Sequence, residues 1–246
     1  MCKTMLKKIL FSLCLFSMAA GASASILTIN YTGLVFFENN TNGSNSYDFG
    51  VNVGDLVSGT FNIDLANLPP DVAASSNRSS YWDTQSSTPY QTEFVSETNR
   101  LAFDSDMSNP GYRNYDHLYI ENDYSSSRDR VFVRDYDYIS SATRYEANFI
   151  LLDFYDVGID FLDNVDLSSM SFSLNEAQLA QFDYTFGRMY IDRFDRDDVA
   201  GTREFNYVDF RLTSVNARAQ EVSSPASLGL FGLGLLFVGV RRLNQK

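Results

Sequence analysis

Apolar side chains alternate with polar ones in run after run of this chain, and no other pattern in it restricts the fold as much. Val131-x-Val133, Ala147-x-Phe149-x-Leu151 and Val208-x-Phe210-x-Leu212 repeat with a period of two. That period sets every second side chain on one buried face of a sheet. Strands are expected over Ile26–Phe37, Val51–Val53, Leu56–Ile63, Thr92–Phe103, His117–Glu121, Arg130–Tyr138, Ala147–Phe154, Ser169–Leu174, Tyr184–Ile191 and Glu204–Ser214. Gly54-Asp55 supplies a turn before Leu56, and Asn175–Gln181 is the one short helix, with Asn175 as its cap. About ten short strands without a βαβ rhythm point to an all-β domain, a β-sandwich or jelly roll.

The two ends of the chain follow other rules. Lys3, Lys7 and Lys8 precede the apolar run Ile9–Ala20, and Ala22-Ser23-Ala24 offers small residues to a signal peptidase. This is the layout of a secretory signal peptide over residues 1–24. Both cysteines, Cys2 and Cys14, fall inside it, so the domain over 25–220 is expected to fold without a disulfide. At the other end, residues 221–246 run from a small polar spacer into the apolar, glycine-rich Leu228–Val240, which stops at Arg241-Arg242. A segment apolar on all sides suits lipid, and the arginine pair would hold its end on the cytoplasmic side. Its 13 residues fall short of the ~17–25 of a stable spanning helix.

This tail resembles the PEP-CTERM sorting signal that exosortase-type transpeptidases recognise in Gram-negative exported proteins. The Pro225–Leu236 run and Arg241-Arg242 keep the pattern, while Ser223-Ser224-Pro225 stands where the family has Pro-Glu-Pro. A second likeness lies in Tyr31-Thr-Gly33 and in Val53-Gly-Asp55-Leu-Val-Ser-Gly59-Thr-Phe-Asn-Ile-Asp64, which are similar to the opening of many PEP-CTERM-tailed β proteins. The resemblance implies export through the inner membrane, which the tail touches transiently as a sorting helix. It implies processing around Ser223, Ser224 and Pro225, and a destination at the cell surface or outside, reached through a membrane-anchored precursor. Its implied partners are a signal peptidase, an exosortase-type enzyme and exopolysaccharide. It implies no reaction.

Between Ser25 and Glu221 lie all 31 acidic residues against 13 arginines and no lysine, a net charge of −18. Nucleic acid and anionic lipid are poor partners for such a surface. Asp192, Asp195, Asp197 and Asp198, with Asp160-Phe-Leu-Asp163-Asn-Val-Asp166 and Asp135-Tyr-Asp137 behind them, have the oxygen ligands that Ca²⁺ takes. They lack the spacing of an EF-hand, Arg193 and Arg196 sit among the first group, and solvated turns explain such runs equally well. No other cofactor is implied. The one histidine, His117, has no companions for a zinc site and reads as a surface or strand-edge residue. No Gly-x-Ser-x-Gly elbow occurs, and carboxylates are too many for a glycosidase pair to be singled out.

The longest irregular stretch is Pro69–Ser87, and a loop of that length is often functional. It holds Tyr81 and Trp82, the chain's only tryptophan. Exposed, these rings could stack on sugars; folded back, the tryptophan would plug the edge of the domain. The reading that follows is a non-enzymatic, structural or polysaccharide-associated exported protein. The alternative is a carbohydrate-active enzyme or a calcium-dependent carbohydrate-binding module.

Overall fold

The computed structural model describes residues 24–39, 49–82, 90–97, 99–103, 112–140, 144–195 and 203–222. Twelve strands occur among them: β1 (Ala24–Glu38), β2 (Leu56–Asp64), β3 (Arg78–Trp82), β4 (Tyr90–Val95), β5 (Arg100–Phe103), β6 (Tyr112–Asn114), β7 (His117–Asp123), β8 (Arg128–Ser140), β9 (Arg144–Val157), β10 (Ser171–Leu174), β11 (Tyr184–Asp195) and β12 (Arg203–Val222). Two one-turn helices, α1 (Tyr124–Ser127) and α2 (Glu176–Leu179), join them. The protein is therefore nearly all β, as the alternation requires. The strands form one sheet in the order β3-β7-β8-β9-β11-β12-β1-β2-β4-β5, with β6 added beside β8 and β10 beside β12. Leu27–Gln220 make one compact unit.

Register explains the core. Leu118, Val133, Leu152, Gly187 and Phe210 lie in one rung across β7, β8, β9, β11 and β12, all on the inner face. The glycine is there because the neighbouring ring needs its space. A Cβ on Gly187 would come within 2.1 Å of Phe210, and one on Gly33 within 2.3 Å of the same ring. Tyr31 stacks on Phe210 with centroids 5.7 Å apart and covers Gly59 in turn. Large rings laid over glycines let the sheet bend sharply. Phe94 of β4 and Phe210 of β12 are three strand spacings apart, about 14 Å in a flat sheet, yet their rings are 6.2 Å apart. The sheet curls around its own core there. Tyr31, Gly33 and Gly59 thus owe their places to packing.

Beyond β9 the chain crosses back under the inner face. Phe161 packs on Phe154, Phe172 and Phe182 at 5.8, 5.6 and 5.1 Å between centroids. Asp129, fully buried, fastens this crossing: its carboxylate accepts from Asp123 N at 2.9 Å, Phe161 N at 2.7 Å and Leu162 N at 2.8 Å. Asn175 caps α2 as the sequence suggests, in a reciprocal box with Gln178. Late in β12 the buried positions switch from even to odd numbers, and Thr32 meets both Thr213 and Ser214 at 2.8 Å. Two residues facing one is the signature of a β-bulge.

Some expected elements differ. Val51–Val53 is not a strand; it leads into a turn in which Asp55 N donates to Asn52 O and Gly54 takes φ 99°. Thr92–Phe103 is two strands, broken where the Ser96 hydroxyl bonds Asn99 N at 3.0 Å. The irregular stretch Pro69–Ser87 contains β3, held by Asp71, whose carboxylate accepts from Ser80 N at 2.9 Å. Strand β6 was not expected either. Among the described residues no helix is long and apolar enough to cross a membrane. Residues 1–23 of the signal-peptide region and 223–246 of the tail lie outside the described residues.

Candidate ligand-binding face

Strands that hide aliphatic side chains on one face must show their alternate residues on the other. In β8 those alternates are Arg130, Phe132, Arg134, Tyr136 and Tyr138, interleaved with Val131, Val133, Asp135 and Asp137. Pairing lines them up with like residues. Tyr136, Phe149, Tyr190 and Tyr207 occupy one rung across β8, β9, β11 and β12. Seven rings run on without a gap from Tyr115 through Tyr136, Phe149, Tyr190, Phe205 and Tyr207 to Phe37, with successive centroids between 4.6 and 6.0 Å apart. Stacked, tilted and edge-on pairs are mixed along it, so these rings spend much of their surface on one another.

Charges on this face come in pairs. Arg130 clasps Asp153 through two bonds of 2.8 Å. Arg188 holds Asp209 at 2.6 and 2.8 Å, and Arg203 holds Asp192 through two bonds of 2.7 Å. Arg128 lies 2.5 Å from Glu121. The first three pairs are two-pronged, which fixes geometry and cancels charge. Arg188 and Arg203 flank the ring belt on its two sides, with the Arg188 guanidinium 4.6 Å from the Tyr207 ring centre and that of Arg203 5.4 Å from Phe205.

Ring surface open to solvent remains at the two borders of the belt. Trp82 is 43 % exposed on β3, the terminal strand. Its indole rests on His117, 4.7 Å away between centroids and its partner in register, with the Arg134 guanidinium 5.5 Å from the indole centre. His117 is wedged between Trp82, Tyr119 and Phe132 and bonded to Ser80 Oγ at 3.1 Å. Burial, and then the Arg134 and Arg130 charges, push its pKa down to about 4. The opposite border, on β1, carries Phe36 and Phe37 at 51 and 42 % exposure, and Tyr184 at the start of β11 is 38 % exposed. Phe36 contacts Phe186 and Phe37 stacks on Tyr207, so both consecutive residues reach the same face. A regular strand would part them; a local bulge does not.

The residues singled out from sequence are distributed as follows. Trp82 lies on the outer face, while Tyr81, one step along β3, turns inward against the core. Neighbours in a strand face opposite ways, so the two cannot share a ligand. Asp192 is buried, with both oxygens held by Arg203 and a further bond from Tyr190 OH at 3.2 Å. The Asp195 side chain, Asp197 and Asp198 lie outside the described residues, as do Ser223, Ser224, Pro225, Arg241 and Arg242. Asp166 serves a turn, accepting from Ser168 N and Oγ, and Asp135 and Asp137 are buried on the inner face. Among the described residues no group of three or more His, Cys, Asp or Glu side chains is arranged to hold a metal ion.

A separate concavity of about 350 Å³ opens between β10 and α2, with Phe161, Phe172 and Phe182 in its wall and Gln178 and Gln181 at its rim. Both glutamines already bond their own helix, in the cap and to Ala177 O. It offers shape but few convergent polar groups. The ring belt itself is what sequence reasoning missed. Tyr136-x-Tyr138 and Phe205-x-Tyr207 were its visible signal, but only register joins them into one line. The chain matches no protein-family model, no curated protein and no solved structure.

Proposed function

We propose that this chain is an exported, non-enzymatic β protein of the cell surface or extracellular matrix, and that its outer face holds uncharged polysaccharide at Trp82. The observation that carries the reading is an exposed indole, the only tryptophan of the chain, on a face where Arg130, Arg188 and Arg203 are each paired with a carboxylate. The C–H face of a pyranose is apolar and stacks on such a ring, while its hydroxyls find donors and acceptors beside it. Asp153, Asp209 and Asp192 each accept two bonds from an arginine. Carboxylates held that way are poorly placed to protonate a leaving oxygen, which favours binding over hydrolysis. Architecturally we read the curled sheet as sandwich-like, its two halves closing on a common core. Delivery would follow the variant PEP-CTERM tail.

Retention on insoluble uncharged polysaccharide tests the binding. Trp82→Ala is expected to weaken it about tenfold, the effect of losing ~1.4 kcal/mol, with an unchanged melting curve. Equal retention of both proteins would remove Trp82 from the site. The sorting part is tested by the intact mass of native protein from cells and medium. Loss of residues 1–24 and of the segment after Ser223–Pro225 supports it, and a mass retaining Leu228–Lys246 contradicts it.

A further inference from the structure

We infer that the outer face holds one extended polysaccharide chain lying across the strands, from Trp82 at one border to Phe37 at the other. This rests on the reading that Trp82 meets sugar, and adds a second contact, a direction and a ligand class.

Three observations point the same way. First, ring surface is open at both borders of the belt and largely used up between them. Phe149 and Tyr190 stack with centroids 4.6 Å apart and planes within 13°, so each hides a face against the other. Trp82, Phe36 and Phe37 keep 42 to 51 % of their surface exposed. Second, the two borders belong to one face of one sheet. From β3 to β1 there are six strand spacings, or about 29 Å along the sheet. A single sugar cannot bridge that distance, whereas a linear chain of several can. Between the borders it would pass over ring edges with Arg188–Asp209 on one side and Arg203–Asp192 on the other.

Third, the charge pattern selects against ionic polymers. Four arginines on this face are each matched to a carboxylate, while Arg134, over the Trp82 indole, donates to the Tyr115 carbonyl instead. The remainder of the domain is strongly acidic, at −18 over residues 25–221. A polyanion would be repelled, and a polycation would be drawn to the acidic surface elsewhere rather than to this face. An uncharged chain meets neither penalty. Contact at two borders also makes the second binding step intramolecular, so affinity must depend on chain length.

The test measures affinities of the domain for hydroxyethyl cellulose, amylose and dextran, with short oligosaccharides of each and with alginate as a polyanion. Wild type, Trp82→Ala and Phe37→Ala are compared, both changes at exposed positions and both checked by thermal melting. The expected result is binding of one uncharged polymer at least about tenfold tighter than of its short oligosaccharide. Trp82→Ala and Phe37→Ala should each abolish that length advantage. If Trp82→Ala weakens binding while Phe37→Ala does not, the spanning chain is overturned and a single site at Trp82 stands. If no uncharged polymer binds, or none is affected by Trp82→Ala, the spanning chain and the underlying reading both fall. Stronger binding of alginate overturns the ligand class.

Discussion

The same strands carry two faces of opposite character. Inward, β8 and β9 present Val131, Val133, Ile150, Leu152 and Phe154, all with no measurable exposure. Outward they present Arg130, Phe132, Arg134, Tyr136, Phe149, Asp153 and Tyr155, all half-buried. The inner face is sealed by a curled sheet and a crossing chain segment. Among the described residues the outer face has no such cover; its rings and ion pairs shelter one another. The comparison teaches how a chain with no cysteine outside residues 2 and 14 can keep so broad a sheet ordered. Half the side chains supply the core, and the rest form a thin lattice that stays usable by a ligand.

If that contrast is right, inner substitutions should cost far more than outer ones. Phe210→Ala removes the ring that covers Gly33 and Gly187 and should cost about 3–5 kcal/mol in urea unfolding. Asp129→Asn puts an amide where three backbone N–H groups converge, so at least one donor loses its acceptor. About 2–3 kcal/mol is expected, with early loss of amide-exchange protection at Phe161 and Leu162. On the outer face Phe149→Ala should cost only about 1–2 kcal/mol, since its neighbours remain partly wet. A loss equal to that of Phe210→Ala would make the outer belt a second core and break the contrast.

The smallest effect sharpens it. His117 titrates near 4 in the folded chain and near 6.5 when unfolded. The unfolded state therefore binds the proton first. Stability from this group is complete above about pH 6.5 and is lost as the pH falls towards 4. Solvent at this half-buried site limits the loss to less than about 2 kcal/mol. As the only histidine, it gives an unobstructed NMR titration. Arg134→Gln should raise its pKa; an ordinary value in the wild type would mean that the rings do not enclose it.

Much of the fold was legible because period-two runs such as Val131-x-Val133 survive any reading frame of the sheet. Strand β3 was hidden because Ser79 and Ser80 sit where an apolar alternation would show, and its register is set by pairing with β7, some forty residues on. The candidate face was legible only at Trp82. Tyr81 looked like its companion because sequence adjacency says nothing about which way a side chain turns until a strand is recognised. The belt from Tyr115 to Phe37 joins the link between β6 and β7 with residues from β8, β9, β11, β12 and β1, and the alignment of the strand residues comes from pairing.

The most direct test of the central claim is a fluorescence titration of the single tryptophan with the uncharged polymers named above. The account predicts a saturable change in Trp82 emission, at a concentration that matches retention on the polymer, and no such change with alginate. Binding without any change in Trp82 emission would contradict it, and would move the ligand off the outer face.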